Sequence, residues 1–361
     1  MEAFRTGLVG CGKVGHLHAK ALSRTPESAF AAVCGRDLAR TEKFAAAYKV
    51  KAYVDVEEMI IREGVQMLSI CTPHPLHAFH AVKAAKAGVH VLIEKPLASS
   101  LKDCDAILCA AKECGTKVGM VSQRRFYAPC ARMKKAIEDG KVGRLILGSV
   151  AMYGWRDEAY YRSDPWRGSW QGEGGGVLVN QAPHQLDLLQ WYMGEIDELF
   201  GFWANLNHPY IEVEDTAVAV LRFKNGALGN IVVSNSQNPA LYGRVYVHGS
   251  NGASIGVQTD GGAMFIAGMT SITEPPVNDL WTVPGEEALL KQWQKEDSDL
   301  FLSINPIEHY HQLQISEFLS AVMAGRDPAV PGEEGRKTVE MFEAIYRSDQ
   351  DRKPVKFPLA S

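Results

Sequence analysis

A histidine stands between an amide and a carboxylate in the middle of the chain, just after a run of glycines. The glycine-rich stretch covers residues 172–176, and Asn180, His184 and Asp187 follow it. Residues three and four apart lie on one stripe of a helix, and we predict a mostly buried amphipathic helix that runs on to about Tyr192. An imidazole titrates near neutral pH, so this arrangement suits proton transfer. The alternative is a histidine satisfied within the helix, and this stretch alone does not separate the two.

A second candidate site lies near the amino terminus, where a glycine motif follows an apolar strand. The strand covers residues 6–9, the motif G-x-G-x-x-G covers residues 10–15, and a helix is predicted over residues 16–24. The first glycine makes the turn, the second admits a pyrophosphate, and the third packs helix against strand. A second strand at residues 30–34 completes the prediction of a dinucleotide-binding unit. The candidate cofactor residues here are Gly10, Gly12, Lys13, Val14 and Gly15.

The residues after that second strand bear on the choice of cofactor. They are Gly35, Arg36 and Asp37. An acidic residue at the strand's end usually binds the adenine ribose and repels a 2′-phosphate, but here a glycine stands first and a guanidinium next. Gly35 and Arg36 are therefore candidate cofactor residues, and they favour NADP. Asp37 could still reach the ribose, so NAD stays open.

Strands and helices alternate through the first third of the chain. Buried strands are predicted at residues 66–71, 89–93 and 117–121, with helices between them. This alternation is typical of a doubly wound parallel sheet, which binds ligands at the carboxyl ends of its strands. We predict a Rossmann domain over residues 1–123 and a second domain over residues 124–361.

Two of these strand ends carry polar side chains. Thr72, Pro73 and His74 follow one strand, and Glu94 and Lys95 follow the next. A lysine at such an end, stiffened by the proline after it, can polarise a hydroxyl or share its proton. The common alternative is a surface lysine in a turn, but the position favours function. All five are candidate cofactor residues, and Lys95 is also a catalytic and substrate-binding candidate.

Histidines cluster after the first of these strand ends, so a metal site has to be considered. His74, His77 and His80 are spaced three apart, which spreads them around a helix. No cysteine or second histidine pair nearby completes a tetrahedral set, and His309 and His311 are too isolated to do so. We therefore expect no metal. His74 and His77 remain candidates for lining the cofactor pocket.

The second domain begins with a segment rich in aromatic and charged side chains. A helix is predicted at residues 128–139 and a strand at residues 144–153, and the loop then runs to about residue 170. Aromatic faces beside charged hydrogen-bonding groups suit a sugar site, although the rings could serve only to anchor the loop. The candidate substrate residues are Arg125, Tyr153, Trp155, Arg156 and Trp166, with Lys95, Asn180 and His184.

Strands dominate the rest of the second domain. They are predicted at about residues 199–206, 214–223, 226–235, 243–249, 253–258 and 263–265. Apolar and polar residues alternate poorly over residues 217–223, which predicts a strand buried on both faces. Residues 273–305 are predicted to form a surface excursion, and two helices are predicted to follow it. The result is an α+β domain with a large, mostly antiparallel open sheet. A second subunit is the usual cover for such a sheet.

Composition narrows the functional class. The chain has 361 residues, 46% of them hydrophobic, and a net charge of −4 with scattered basic residues, so nothing suggests a nucleic-acid partner. No segment approaches the roughly 18–20 apolar residues that span a membrane, and the first residues leave no room for a signal peptide. Seven cysteines without a Cys-x-x-Cys pair suit a reducing compartment. We expect a cytoplasmic protein.

These motifs resemble those of the glucose–fructose oxidoreductase / inositol dehydrogenase / MocA family over essentially the whole chain. The carriers are residues 10–15, 72–74, the run 88–96 with its Glu-Lys-Pro motif, 174–176, His184 with Asp187, and 331–336. The resemblance implies an NAD(P)-dependent sugar or polyol dehydrogenase or reductase, active as a homodimer or homotetramer. It also implies that Lys95 and His184 flank the reacting hydroxyl. His184 would take the proton, Lys95 would polarise the oxygen, and hydride would pass to the nicotinamide.

Three positions depart from the family pattern. Many inositol dehydrogenases of the family have aspartate at the position of Asn180, our third catalytic candidate, and an amide can orient an imidazole without stabilising its charge. Many members have asparagine in place of His74 and an acidic residue in place of Gly35. The aromatic loop and residues 180–185 resemble members that oxidise a pyranoside at a ring hydroxyl, often at carbon 3. Inositol or free aldose oxidation, and reduction of a keto- or anhydrosugar, are alternatives.

Two other functional classes stay open. Some relatives are glycosidases that use bound NAD to oxidise, eliminate and restore a sugar, and such a protein cleaves glycosides without net formation of NADH. A non-catalytic binding protein is the other alternative. It should lack Lys95 or His184, and this chain has both.

Overall fold

The computed structural model describes residues 2–241, 243–259 and 275–361. The chain forms two units. The first comprises Met1–Gln123, Pro306–Lys337 and Ser361, and the second comprises Arg124–Asn305 and Thr338–Ala360. The first continuous segment of this unit ends at Gln123, where the predicted Rossmann domain also ends. The unit additionally includes the helical segment Pro306–Lys337, which the sequence analysis placed in the second domain.

The elements of both units are named here in chain order. The strands are β1 (Phe4–Val9), β2 (Ser28–Cys34), β3 (Lys51–Tyr53), β4 (Met67–Ile70), β5 (His90–Ile93), β6 (Val118–Met120), β7 (Leu145–Tyr153), β8 (Ile196–Ala204), β9 (Thr216–Phe223), β10 (Leu228–Ser234), β11 (Gly243–Gly249), β12 (Ser254–Thr259), β13 (Val277–Trp281) and β14 (Val355–Lys356). The helices are α1 (Lys13–Arg24), α2 (Leu38–Tyr48), α3 (Val56–Glu63), α4 (His77–Lys86), α5 (Leu101–Cys114), α6 (Ala128–Glu138), α7 (Glu158–Arg162), α8 (Val177–Asn180), α9 (Pro183–Met193), α10 (Leu289–Ser303), α11 (Pro306–Met323) and α12 (Gly332–Asp351). Within the described part of the chain, no helix combines the length and apolar character needed to cross a membrane.

The first unit is built on a parallel sheet of six strands in the order β3-β2-β1-β4-β5-β6. Every neighbouring pair runs parallel. Strands β4 and β5 bury nearly all of their residues, as strands covered by helices on both faces do. The predicted doubly wound parallel sheet is confirmed. The three residues of β3 carry too little pattern to be predicted.

Local sequence sets where the helices of the first unit begin and end. The side chains of Asp37, Asp55 and Ser100 each accept a hydrogen bond from the backbone N–H three residues later, at 2.7, 2.8 and 3.1 Å. Gly64 and Gly115 adopt the left-handed conformation that ends α3 and α5. Because the strands are parallel, the loops after β1, β4 and β5 meet at the same edge of the sheet.

Helix α11 belongs to the core of the first unit although it is remote in sequence. Phe318 is buried in the same cluster as Leu8. Gln314 donates a hydrogen bond to the Met120 carbonyl at 2.8 Å, next to the end of β6. A Cβ on Gly119 would lie 2.8 Å from the Phe318 ring, so the ring packs directly on the β6 backbone. Only long-range packing of this kind places the helix, which explains why local pattern assigned it to the second domain.

The second unit contains a sheet of eight strands in the order β13-β12-β11-β7-β10-β9-β8-β14. Its pairs are antiparallel except for β7 with β10, so the predicted mostly antiparallel open sheet is confirmed. The prediction of a surface excursion over residues 273–305 is wrong, because β13 pairs with β12 there and Phe301 of α10 is buried. The strand predicted at residues 263–265 lies outside the described residues.

Strand β9 alternates between buried and exposed positions, which corrects the prediction that both its faces are buried. The odd-numbered residues 217–223 are buried and the even-numbered residues 218–222 are exposed. The sequence pattern is poor because Val218 and Val220 are apolar although they face outward. Helices α8 and α9 cover the inner face of the sheet. The outer face therefore presents apolar side chains.

Phe318→Ala is expected to destabilise the protein by about 3–5 kcal/mol, because it removes a ring from the core under β6. Leu313→Ala, on the outer side of the same helix, should change stability by about 0.5 kcal/mol, since Leu313 is 41% exposed. Urea unfolding followed by circular dichroism measures both variants. Equal losses would contradict the placement of α11 in the core of the first unit.

Candidate active site

Three glycines shape the loop between β1 and α1, and the protein's own packing requires two of them. Gly10 has φ +111°, and a Cβ there would lie 2.5 Å from the Cys71 carbonyl oxygen. A Cβ on Gly15 would lie 2.1 Å from the Gly10 carbonyl oxygen. At Gly12, by contrast, a Cβ would meet no atom of the described residues within 4 Å. The open space there fits a pyrophosphate, and Lys13 and Val14 begin α1 directly beside it.

A second arginine stands near the end of β2, where the sequence pointed to Gly35 and Arg36. A Cβ on Gly35 would lie 2.9 Å from Cys11 Sγ, so the position has little room for a side chain. The Asp37 carboxylate caps α2 by accepting from the Arg40 N–H. The Arg40 guanidinium donates to the Cys11 carbonyl in the glycine loop at 3.2 Å. Arg40 was missed because it lies inside a helix rather than at the strand end.

The buried side chain of His77 contacts both the turn after β4 and the turn after β5. One ring nitrogen of His77 lies 2.9 Å from the Thr72 carbonyl oxygen, and the other lies 3.0 Å from that of Pro96. These contacts favour a structural role over the predicted lining of the cofactor pocket. Pro73 is half-buried and His74 is buried in the same turn.

Glu94, predicted to bind the cofactor, is buried within the first unit with both oxygens facing protein donors. Oε1 accepts from His18 Nε2 at 2.8 Å, and Oε2 accepts from the Lys95 N–H at 3.1 Å. His311 Nε2 lies 3.6 Å from Oε1. Burial alone would raise the pKa of Glu94, but hydrogen bonds and attraction from the two histidines hold that pKa well below its usual value. An ionised carboxylate thus anchors the main chain at Lys95, whose side chain is half-buried.

The glycine-rich turn of the second unit rests on Glu214, which the sequence did not single out. Its carboxylate accepts from the N–H groups of Gly176 and Leu178 at 2.8 and 2.9 Å and from the Tyr346 hydroxyl at 2.9 Å. A Cβ on Gly176 would lie 1.8 Å from the Glu214 carbonyl oxygen, so only glycine permits this approach. Burial raises the pKa of Glu214 to about 7 against the lowering effect of these donors.

The single helix predicted to run to about Tyr192 is in fact two helices. Helix α8 ends at Asn180 and α9 begins at Pro183, which has no N–H with which to continue a helix from before it. Asn180 and His184 therefore do not share one helical stripe. Helix α9 is also buried nearly all round instead of amphipathic. His184 lies in its first turn and is 8% exposed.

Arg125, a predicted substrate residue, forms a bidentate ion pair with Asp187. Its Nε and Nη2 donate to the two carboxylate oxygens at 2.8 and 2.6 Å. Both side chains are buried, and the Trp191 ring lies 5.1 Å from the guanidinium carbon. A planar, doubly bonded pair of this kind has defined geometry. The ion pair joins α9 to the segment that leads into α6. Asp187 therefore stabilises the position of α9 and does not extend a row of polar side chains from Asn180.

Asn180 is oriented by Glu173, a buried carboxylate within the glycine run. The Asn180 amide nitrogen donates to Glu173 Oε1 and lies 3.3 Å from the Tyr160 hydroxyl. The other Glu173 oxygen accepts from the Gly168 N–H at 2.6 Å, and Gln181 donates to the same tyrosine hydroxyl at 3.0 Å. A lone carboxylate among glycines was the sequence signal that could have identified Glu173.

The aromatic loop places arginines over aromatic rings close to this network. The Arg156 guanidinium lies 5.2 Å from the Tyr160 ring, and that of Arg167 lies 4.5 Å from the Trp166 ring. Because the Tyr160 hydroxyl also meets Asn180, the structure brings Arg156, Tyr160 and Asn180 together. Flat apolar faces beside cationic groups can bind a sugar ring and its hydroxyls.

A buried histidine–aspartate pair anchors the same loop. His208 Nε2 lies 2.7 Å from the Arg156 carbonyl oxygen, and Nδ1 lies 2.7 Å from Asp215 Oδ2. Burial alone would raise the pKa of Asp215, but His208 and two backbone N–H groups hold that pKa at about 2. The other predicted loop residues, Tyr153 and Trp155, are half-buried at the start of the loop.

Gly12→Ala is expected to weaken dinucleotide binding by about 10-fold or more, a cost of about 1.4 kcal/mol, while the melting temperature stays near that of the parent protein. The reason is that the added methyl group occupies space the protein itself leaves open. Gly15→Ala is the matched control and should lower the melting temperature. Calorimetric titration with NAD and NADP measures binding. Undiminished affinity in Gly12→Ala would contradict the assignment of this loop.

The geometry of both units agrees with what family models match. Residues 4–122 match the oxidoreductase family with an NAD-binding Rossmann fold, and residues 130–255 match the GFO/IDH/MocA C-terminal domain. The first match covers the parallel sheet and its glycine loop. The second covers the glycine-rich turn, α8, α9 and the strands up to β12.

Individual relatives extend this similarity over the full length of the chain. A myo-inositol 2-dehydrogenase of Thermotoga maritima is 28% identical over 98% of each chain. The oxidoreductase YrbE of Bacillus subtilis is 30% identical over 69% of this chain and 72% of its own. The WlbA dehydrogenase of Bordetella pertussis, solved with NADH and UDP-GlcNAcA, is 28% identical over 99% of each chain with a TM-score of 0.87. The chain therefore belongs to the GFO/IDH/MocA family of NAD-binding oxidoreductases.

Proposed function

We propose that the protein transfers hydride between a secondary ring hydroxyl of a sugar or glycoside and NAD(P). The observation that carries this proposal is that both family-implied catalytic side chains stand on anchored segments. Lys95 follows a main chain held by Glu94, and His184 begins a helix just after a glycine turn held by Glu214. Because these segments are already held in place, the catalytic groups need little rearrangement when a substrate binds. A bound nicotinamide would supply the hydride acceptor.

The chain's own residues would handle the proton and the charge on oxygen. Oxidation of a carbinol releases a hydride from carbon and a proton from oxygen. His184 accepts that proton on a ring nitrogen, and the Lys95 ammonium stabilises the negative charge developing on the oxygen. Asn180, oriented by Glu173, holds the substrate or the imidazole in place. In reduction the same groups act in reverse.

A pyranoside is the leading substrate class. Arg156 lies over the Tyr160 ring, whose hydroxyl meets Asn180, and Trp166 adds a flat apolar face beside Arg167 in the same loop. The relative solved with UDP-GlcNAcA supports a pyranose ring, often oxidised at carbon 3 in members that this chain resembles. Inositol oxidation is the alternative, supported by the Thermotoga maritima relative. Reduction of a keto- or anhydrosugar uses the same groups.

We also propose a preference for NADP over NAD. Gly35 occupies the position of the usual ribose-binding acid, and Arg36 is exposed beside it. The Asp37 carboxylate caps α2. Arg40 adds a second guanidinium near the glycine loop, and guanidinium groups match the geometry of a phosphate.

Lys95→Ala and His184→Ala should each lower kcat by about 10²–10⁴-fold, because each removes a group that acts on the reacting oxygen or its proton. Lys112→Ala on α5 and His248→Ala on β11 are matched controls, because neither element carries a proposed site residue, and both should leave kcat unchanged. Reduced-nicotinamide absorbance is followed with inositols, aldoses and glycosides, using NAD and NADP in parallel. A near-normal kcat in either test variant would remove that residue from the mechanism.

The same assay separates the remaining functional classes. Growth of the reduced-nicotinamide band with one sugar class identifies the dehydrogenase reaction and the preferred cofactor. Cleavage of a glycoside with no net cofactor reduction would instead identify a redox-assisted glycosidase. Tight binding of a sugar with neither reaction would identify a binding protein.

We further propose that the outer face of the second sheet joins two copies of the chain. By strand register, Phe202, Val218, Val220, Leu228 and Leu147 share this face. Their exposed fractions range from 38% to 60%. Exposed apolar side chains that share one face of a sheet often mark an interaction site, and a self-complementary dimer or tetramer would bury them.

Val220→Glu is expected to shift the protein toward monomer, because it places a charge in the middle of the buried face. Leu302→Glu introduces the same charge at a residue of α10 that is 68% exposed and off this sheet, so its mass should not change. Light scattering coupled to size exclusion measures the mass of each. A parent protein that is already monomeric would contradict the proposal.

A further inference from the structure

A group of three buried side chains in the first unit lies beside Lys95 and takes no part in the proposed chemistry. His18 comes from α1, Glu94 follows β5, and His311 comes from α11. We propose that His18 is a positioning residue that sets the place of Lys95 by acting through Glu94, with His311 as a second support. The inference rests on the proposed catalytic role of Lys95.

The hydrogen bonds of His18 define its tautomer. A carboxylate only accepts, so His18 Nε2 carries the proton that it donates to Glu94 Oε1 at 2.8 Å. The other nitrogen, Nδ1, then accepts from the Ser69 hydroxyl at 2.7 Å. Burial lowers the pKa of His18, which agrees with a neutral ring bonded at both ends. The ring is fully buried and therefore fixes the carboxylate in one orientation.

His311 supports the same oxygen from the opposite end of the sequence. Its Nδ1 donates to the Ile307 carbonyl at 2.6 Å, and Nε2 faces Glu94 Oε1 at 3.6 Å, where a ring protonated at both nitrogens attracts the carboxylate by charge. The His311 and His18 rings meet edge to face with centroids 5.4 Å apart. Because His311 lies on α11, the helix that returns to the first unit helps to hold the strand end that carries the catalytic lysine.

The other Glu94 oxygen transmits this restraint to Lys95. It accepts from the Lys95 N–H at 3.1 Å, so the peptide before the lysine is held. His77 lies 3.0 Å from the Pro96 carbonyl and holds the chain after it. A displacement of about 1 Å of a catalytic group can cost about 100-fold in rate. Loss of the His18 bond would free Glu94 to turn and the lysine's main chain to follow.

A metal ion fits this cluster less well than the hydrogen-bonded arrangement does. One nitrogen of each histidine and one oxygen of Glu94 lie within 4.8 Å of one another, a spacing at which the three residues could bind a cation. Tetrahedral ligands with bonds of about 2 Å stand about 3.3 Å apart, however. The 2.8 Å contact between His18 and Glu94 is that of a direct hydrogen bond.

Two substitutions at the same position separate positioning from simple packing. In His18→Gln the amide nitrogen can replace Nε2 and still donate to Glu94, whereas in His18→Asn it replaces Nδ1 and meets only the Ser69 side. We expect kcat to fall about 100-fold in His18→Asn and to stay within about 5-fold in His18→Gln. The Kd for the cofactor should change by less than about 3-fold in both, because the glycine loop is untouched. Stopped-flow turnover, calorimetric titration and melting temperature are measured for each.

His90→Asn is the matched control. His90 lies on β5 four residues before Glu94, at the opposite end of the strand, and its Nδ1 accepts from the Lys117 N–H at 2.9 Å. An asparagine there can accept the same bond, so kcat should be unchanged. Equal rates in His18→Gln and His18→Asn would overturn the positioning role. So would parallel losses of kcat and cofactor affinity.

Two further variants keep the outcome decisive. If His18→Asn does not fold, His311→Asn is used instead, because its amide can keep the Ile307 bond while withdrawing from Glu94. It should lower kcat by about 10-fold with the cofactor Kd unchanged, and an unchanged kcat would overturn the inference. Lys95→Ala tests the underlying assumption separately. A normal rate there would defeat the proposed function, whereas a slow Lys95→Ala beside a normal His18→Asn would defeat only this inference.

Discussion

Buried carboxylates hold the segments that carry or precede the candidate catalytic side chains, and hydrogen-bond donors take up the carboxylate oxygens. Glu94 accepts from His18 and the Lys95 backbone, and Glu173 accepts from the Asn180 amide and a backbone N–H. Glu214 accepts from two backbone N–H groups of the glycine turn. Where the carboxylate is ionised, as at Glu94, each hydrogen bond to it contributes about 1.5–3 kcal/mol, and removing the partner of a buried charge costs about 3–5 kcal/mol. Each of these carboxylates therefore leaves the segment that it holds few alternative conformations.

The glycines are the second constraint, and they act by permitting backbone contacts that the carboxylates then fix. At Gly176 a side chain would collide with the Glu214 carbonyl oxygen, and at Gly15 with the Gly10 carbonyl oxygen. At the glycine turn, the absence of a side chain on Gly176 lets its backbone come close to Glu214, and the Glu214 carboxylate then accepts a hydrogen bond from the Gly176 N–H. Gly12 is the exception, because its open side faces no described part of the protein. The ligand is the remaining reason for glycine at that position.

Local pattern was sufficient for elements whose causes are local. The parallel sheet follows from alternating apolar strands and helices, and the cap at Asp55 follows from a short polar residue before a helix. Features fixed by distant partners were not predictable. Arg125 meets Asp187 across 62 residues, and Gln314 meets the Met120 carbonyl across 194. The prediction that both faces of β9 are buried was wrong because apolar side chains also occupy its outer face. Association between two chains, rather than folding of one chain, can account for apolar side chains there. At Pro183 a helix break was readable from the sequence, but the regular spacing of Asn180, His184 and Asp187 favoured a single helix.

A buried carboxylate stands behind Asn180, one of the positions that depart from the family pattern. An amide in place of aspartate removes a negative charge from the position four residues before the proposed base. The Asn180 nitrogen, however, donates to the Glu173 carboxylate, so a carboxylate stands directly behind the amide. A donor bonded to an anion is polarised, and its carbonyl oxygen becomes a stronger acceptor. The family resemblance implies which side chains act, and the contacts of this chain show which carboxylates hold the segments around them. The Glu173 carboxylate behind the amide therefore keeps a negative charge near residue 180, which is compatible with a dehydrogenase and favours no change of reaction class.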